Sequence, residues 1–281
     1  CFQRCNIRNL TFVEGSNLYK IGAGAFESSS LVSAVLPQSL TYIGENAFYY
    51  CENLAQINFP STLEYIGSAA FRNCAIEEVE TGATIMEEAF RDCANLTSAL
   101  IYGDVSEADG LFYYCNSLIG AEVTSLAPHM FEYCSKLKNV NISGSITEIP
   151  SYAFAECPTL ENLEIENKND ITKIADYAFA GMNLAFGGLE SGFALNGLDN
   201  ISEIGDYAFY DSGLNSFKFD AQNDFTIGDY AFVCYKIATF GIAAGKCTLP
   251  AELTALGKGN FQNTVFSELA FEEGFSLDYL P

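Results

Sequence analysis

Ten cysteines, one histidine and 36 carboxylates are the side chains in this 281-residue chain that could do chemistry. Seven of the cysteines share one column, three residues after a phenylalanine: Cys5, Cys51, Cys74, Cys93, Cys115, Cys134 and Cys157. Thiols can bridge, hold a metal or attack carbon, and each role asks for a different spacing. A zinc site needs ligands that converge at short spacing, whereas these cysteines stand a whole period apart and no Cys-x-x-Cys occurs. Disulfide frameworks belong mainly to small secreted domains. In a chain this long, a cysteine column at a core-facing register reads as buried free thiols. The alternative is bridging between adjacent copies, which requires Cα atoms within ~4.4–6.8 Å. Cys1, Cys5, Cys234 and Cys247, at a chain end or off the column, are the positions most open to pairing.

The other candidates have bland readings. His129, in Ala127-Pro128-His129-Met130-Phe131, has no serine or cysteine elbow and no oriented carboxylate in view, so it reads as a surface or merely satisfied side chain. Glu77-Glu78, Glu87-Glu88 and Glu272-Glu273 could suggest a glycosidase, but that chemistry needs two carboxyl groups facing each other across a cleft. Neighbouring acids on an exposed face are solubilising charge. The oxygen-rich stretches Asn167–Asp170 and Asp220–Asp224 lack the ligand spacing of a calcium loop. The expectation is a non-enzymatic protein with no cofactor, no metal and no catalytic residue.

The elements that carry these residues are repeats. Ala-Phe or a close variant places Phe at 26, 48, 71, 90, 112, 131, 154, 179, 209, 232 and 261, and Phe2 adds a twelfth copy. The spacings run from 19 to 30 residues, a period that signals stacked units and not one compact core. Five residues before these phenylalanines stands an aliphatic side chain in ten of eleven cases; only Glu107 departs. Segments such as Leu54-Ala55-Gln56-Ile57-Asn58-Phe59-Pro60 end in apolar, polar, apolar alternation, the mark of a half-buried strand. The Gly-x-x-Ala-Phe-x-x-Cys stretch has apolar residues three apart, which predicts a helical or 3₁₀ turn. A unit of this size cannot bury its apolar face alone, so neighbours must stack and each apolar column becomes a ladder.

The run from Cys51 to Cys74, Cys-x-x-Leu-x-x-Ile-x-Phe-Pro-x-x-Leu-x-x-Ile-Gly-x-x-Ala-Phe-x-x-Cys, resembles the BspA-like, Treponema-type leucine-rich repeat. The resemblance covers nearly the whole chain. It implies a right-handed repeat solenoid, mostly β, with short parallel strands on a concave face. Residues 1–265 would be about twelve repeats and 266–281 a C-terminal cap or tail. It also implies an extracellular or cell-surface location and an adhesion or protein-binding role toward a host or neighbouring-cell protein or glycan. Ligands vary widely on one such scaffold, so the partner has to be argued from the surface.

Composition bounds that surface. A formal net charge of -23 argues against nucleic acid and anionic lipid as partners. No apolar run approaches the roughly 20 residues of a membrane-spanning helix. The chain reads as a monomer and a fragment. Outward strand positions are free of core constraints, so the candidate ligand-binding face comprises Gln56, Asn58, Glu78, Glu80, Glu122, Asn139, Asn141, Asn162 and Glu164, with Leu36, Leu100 and Lys218 in the same column. Tyr49, Tyr50, Tyr113, Tyr114 and Tyr133 form a second group around the turns. Tyr152, Tyr177, Tyr207 and Tyr230, before Ala-Phe, are expected to pack flat on adjacent repeats. Asn9, Asn95, Asn141 and Asn200 head Asn-x-Ser/Thr sequons. A structural spacer that presents another domain is the alternative function.

Overall fold

The computed structural model describes residues 1–182, 200–212, 217–218, 224–233, 245–263, 266–278 and 280–281. Cys234 and the 220–223 part of the acidic stretch fall outside these residues, as do the side chains of Lys218 and Cys247. The chain forms two compact units, Cys1–Ser143 and Gly144–Pro281. Each is a solenoid of short parallel strands.

In the first unit every turn contributes up to two strands. The first belongs to a wide face. Asn9–Leu10, Ser33–Ala34 and Gln56–Ile57 pair in sequence order, and farther along Glu78–Thr81, Ser98–Ile101, Gly120–Val123 and Asn139–Ile142 do the same. The alternation read from sequence sets the burial: in Glu78–Thr81 the residues run exposed, buried, exposed, buried. The second strand builds a narrower ladder from Lys20–Ile21, Tyr42–Ile43, Tyr65–Ile66 and Thr84–Ile85. That ladder goes no further in this unit among the described residues. The copy carrying Glu107 is the next one along, and there Val105, fully buried, fills the core from a non-strand backbone.

In the second unit the narrow ladder runs through Glu148–Ile149, Lys173–Ile174, Glu203–Ile204, Phe225–Ile227 and Leu253–Leu256. Asn162–Ile165 is a further strand of this unit, with Asn162 and Glu164 exposed and Leu163 buried. Phe217–Lys218, Gly245–Leu249 and Phe266–Phe271 pair in parallel as a separate three-stranded sheet.

The phenylalanines stack as a row. Ring centroids are 5.3 Å apart for Phe26 and Phe48, 5.1 Å for Phe48 and Phe71, and 5.3 Å for Phe71 and Phe90. In the second unit Phe154, Phe179, Phe209 and Phe232 follow at 5.3–5.5 Å. Phe71 has no exposed surface, and Phe59 meets it edge-on at 5.4 Å. Truncating such a ring in a packed core costs about 3–5 kcal/mol.

The corner around each phenylalanine differs from the helical turn that its spacing suggests. The residues two before and two after Phe lie at positive φ, as at Ala69 (50°) and Asn73 (59°), and these are seldom glycines. The backbone therefore reverses hand twice within five residues, and its N–H groups split between two destinations. Ala70, Arg72 and Cys74 donate back three residues, to Gly67, Ala69 and Phe71; Ala69, Phe71 and Asn73 donate to Glu87, Ala89 and Arg91 of the next turn. Close stacking also explains the glycine after the aliphatic. A Cβ at Gly67 would stand 2.6 Å from the Glu45 nitrogen, inside any permitted contact.

Candidate functional site

The cysteine column is structural. Cys51, Cys74, Cys93, Cys115 and Cys134 are buried free thiols, and their Sγ atoms donate to the carbonyls of Phe26, Phe48, Phe71, Phe90 and Phe112, one turn back, at 3.1–3.2 Å. Burial raises all five thiol pKa values and pushes Cys93 up to about 12. A nucleophilic or metal-binding cysteine needs the thiolate, so this column is inert. These five thiols are unbridged and aim along the stack at a backbone oxygen, whereas Cys157, buried and also free, points at Ala155 O of its own turn at 3.8 Å. Cys1 and Cys5, the exceptions at the chain end, are also free.

His129 needs a correction. A carboxylate does accompany it: Glu132 Oε2 lies 2.5 Å from Nδ1. The spacing of three was there in the sequence, but its meaning depends on the positive φ of His129 (53°), which folds the ring back over the corner. The pair stands beside Tyr113 on the corner surface, where Tyr114 and Tyr133 stack at 4.5 Å and Arg91 covers Tyr113 at 4.2 Å. Arg91 and Arg72 are both tied to Glu88 and Asp92. Rings and charges pair with one another here, although the buried Arg91 Nε makes no hydrogen bond. In the second unit Tyr152, Tyr177, Tyr207 and Tyr230 stack face to face at 4.7–5.2 Å, the packing expected of them. Among the described residues no three His, Cys, Asp or Glu side chains converge on a common point.

The wide strand face of the first unit brings most of the remaining candidates together. Register aligns Glu80, Leu100, Glu122 and Asn141 across four strands, with Glu78, Ser98, Gly120 and Asn139 in the parallel column. Rungs of a sheet are about 4.8 Å apart, so Glu80 and Glu122 flank Leu100 closely. Asn58 behaves differently. Its Nδ2 donates to the Leu36 carbonyl at 3.0 Å and its Oδ1 accepts from the Leu36 nitrogen at 2.6 Å, which commits the amide to extending the ladder. Leu36 itself is not in the outward column: it is 2% exposed, and the pairing of Ala34 with Ile57 puts Val35, 59% exposed, opposite Asn58. Asn162 and Glu164 are exposed on the Asn162–Ile165 strand of the second unit.

A groove of about 620 Å³ opens on this face between Asn58, Glu78, Glu80, Ser98, Leu100 and Tyr102. Tyr102 was not among the residues expected from sequence. It is 52% exposed, and its hydroxyl donates to Glu80 Oε1 at 2.6 Å. That bond, with the charges of Glu80 and Glu122, raises its pKa to about 12. In sequence Tyr102 stands at the position that Pro37 and Pro60 hold after the strands of earlier copies, and Pro60 is buried where Tyr102 is exposed.

Stacked parallel strands, a repeat of two dozen residues and an outward face free of core duties define a repeat solenoid. The chain belongs to the family of the BspA-type leucine-rich repeat region, which matches it in six copies over residues 1–97, 80–185 and 182–277. Among solved structures it is similar to a leucine-rich repeat protein from Bacteroides ovatus, at 22% identity and TM-score 0.51 over 96% of this chain; the chain spans 64% of that protein's length. It is also similar to a leucine-rich cell surface protein from Faecalibacterium prausnitzii, at 20% identity and TM-score 0.42 over 95% of this chain and 70% of that one. The pneumococcal vaccine antigen PcpA gives 20% identity and TM-score 0.46 over 97% and 75%. No curated protein matches it. Among the described residues no helix is long and apolar enough to cross a membrane.

Proposed function

We propose that the chain is a non-catalytic recognition module, displayed at a cell surface or released from it, that holds a partner protein or glycan on its wide strand face. The observation that carries this reading is the contrast between the two columns of each strand. Inward positions such as Val79, Ala99 and Ala121 are buried, while their outward neighbours Glu78, Glu80, Glu122, Asn139 and Asn141 form an exposed to half-buried polar surface outside the core. Surfaces released from the core are where solenoids vary their ligands. The surface location rests on family membership.

The test combines Glu78→Gln, Glu80→Gln, Glu122→Gln and Glu164→Gln in one variant whose fold is checked by circular dichroism. Immobilised wild type should capture a partner from the surface of neighbouring or host cells, and the quadruple variant should lose it. Unchanged capture would refute the face assignment. A spacer would show no capture with either protein.

A further inference from the structure

We infer that the groove around Tyr102 receives an arginine side chain from an extended, basic segment of the partner. This rests on the strand face being the recognition surface, and it goes further by naming the chemistry of the occupant. Neither outward column carries a lysine or arginine between Asn9 and Asn141, whereas Glu78, Glu80 and Glu122 lie within it. The corner surface has its own guanidinium groups, Arg72 and Arg91, already paired with Glu88 and Asp92. The carboxylates of the strand face have no such cationic partner in their columns, which makes the face complementary to a basic segment of another molecule.

Three features favour arginine over any other cation. Glu80 lines the groove and accepts from Tyr102 through Oε1, and a carboxylate has a second oxygen that can accept from a guanidinium N–H. Tyr102, half exposed, puts an aromatic ring on the groove together with that carboxylate, and a planar guanidinium both stacks on an aromatic ring and bonds a carboxylate. Leu100 sits between Glu80 and Glu122 in the register, an apolar step on which the methylene stem can lie while its charged head reaches the carboxylates. An extended segment suits a strand face, because its alternate side chains fall into one column.

The probe is a fluorescein-labelled, end-capped peptide of alternating Arg and Gly, compared with the same peptide bearing citrulline, the neutral isostere, and with its lysine counterpart. Anisotropy titrations at physiological salt should give saturable binding of the arginine peptide, weaker binding of the lysine one and at least tenfold weaker binding of the citrulline one. Glu80→Gln and Tyr102→Leu should each weaken the arginine peptide about two- to fivefold, the size of one exposed ion pair or one cation–π contact. Glu273→Gln, an exposed acid in the second unit, should leave it unchanged.

Equal affinity for the arginine and citrulline peptides would overturn the inference. So would an equal loss in Glu273→Gln, since that reports diffuse attraction to a chain of charge -23. If the arginine peptide fails while the quadruple variant still loses its captured partner, the strand face stands as the recognition surface and the arginine assignment falls.

Discussion

Replacing Ala69 with glycine should stabilise the protein, and replacing its neighbour Ala70 with glycine should weaken it. Ala69 lies at φ 50°, where a Cβ crowds the following carbonyl by roughly 1–2 kcal/mol. Glycine removes that penalty but adds freedom to the unfolded chain, which opposes folding by about 0.4–1 kcal/mol. The net expectation is a gain of about 0.5–1 kcal/mol. Ala70 is fully buried and absent from the positive-φ residues. Its glycine variant loses about 0.8 kcal/mol of methyl burial together with the same unfolded-state term, a loss of about 1–2 kcal/mol. Two adjacent substitutions of identical chemistry should therefore differ by about 2 kcal/mol with opposite signs. Equilibrium urea unfolding followed by circular dichroism would show this as midpoints on either side of wild type with unchanged slopes. Equal destabilisation by both would mean that the corner does not hold Ala69 in the left-handed region.

Two further perturbations follow from the stacking. Gly67→Ala should destabilise by about 1–3 kcal/mol, because its Cβ would meet the Glu45 backbone; Gly22→Ala, with nothing within 4 Å of its Cβ, should be close to neutral, and urea midpoints of the two variants check the contrast. The thiol column predicts alkaline sensitivity. Cys93 ionises near 9 when unfolded and near 12 when folded, so its contribution is complete below about pH 9 and is lost as pH rises toward 12, at up to about 1.4 kcal/mol per pH unit. Stability measured between pH 8 and about 11 should fall less steeply in Cys93→Ala than in wild type, and iodoacetamide at neutral pH should label Cys1 and Cys5 while sparing the five column thiols.

Much of this architecture was legible because ladders repeat one chemical requirement. Phe71 sits between Phe48 and Phe90 for the same reason that each of them sits between its neighbours, so a column of identical residues declares a row of contacts. Glu107, the one break in the aliphatic column, falls where the narrow ladder of the first unit ends. Legibility failed where one residue type could satisfy two registers. In Leu31-Val32-Ser33-Ala34-Val35-Leu36-Pro37 both Val35 and Leu36 are apolar, and alternation alone could not choose between them; aligning Pro37 with Pro60 would have done so. Asn58 looked like a free amide because its partner, the Leu36 backbone, leaves no mark in sequence. Left-handed residues were also hidden, since Tyr152, Ala69 and His129 are not glycines and only the stacked neighbour holds them there. That is why a tight corner was read as a helical turn, and why Glu132 was missed beside His129.

Because every other N–H of a corner is answered from the following turn, one coil cannot close without its successor, yet nothing in that bond pattern depends on how far the chain wanders between corners. Nineteen residues separate Phe71 from Phe90 and thirty separate Phe179 from Phe209, yet both ring pairs stack at 5.3 Å. The natural unit of growth is then a whole coil cut at matching points of two corners. Segments spliced in that way should lengthen the molecule as beads lengthen a string, each addition presenting a fresh strip of outward residues to be tuned independently of the fold.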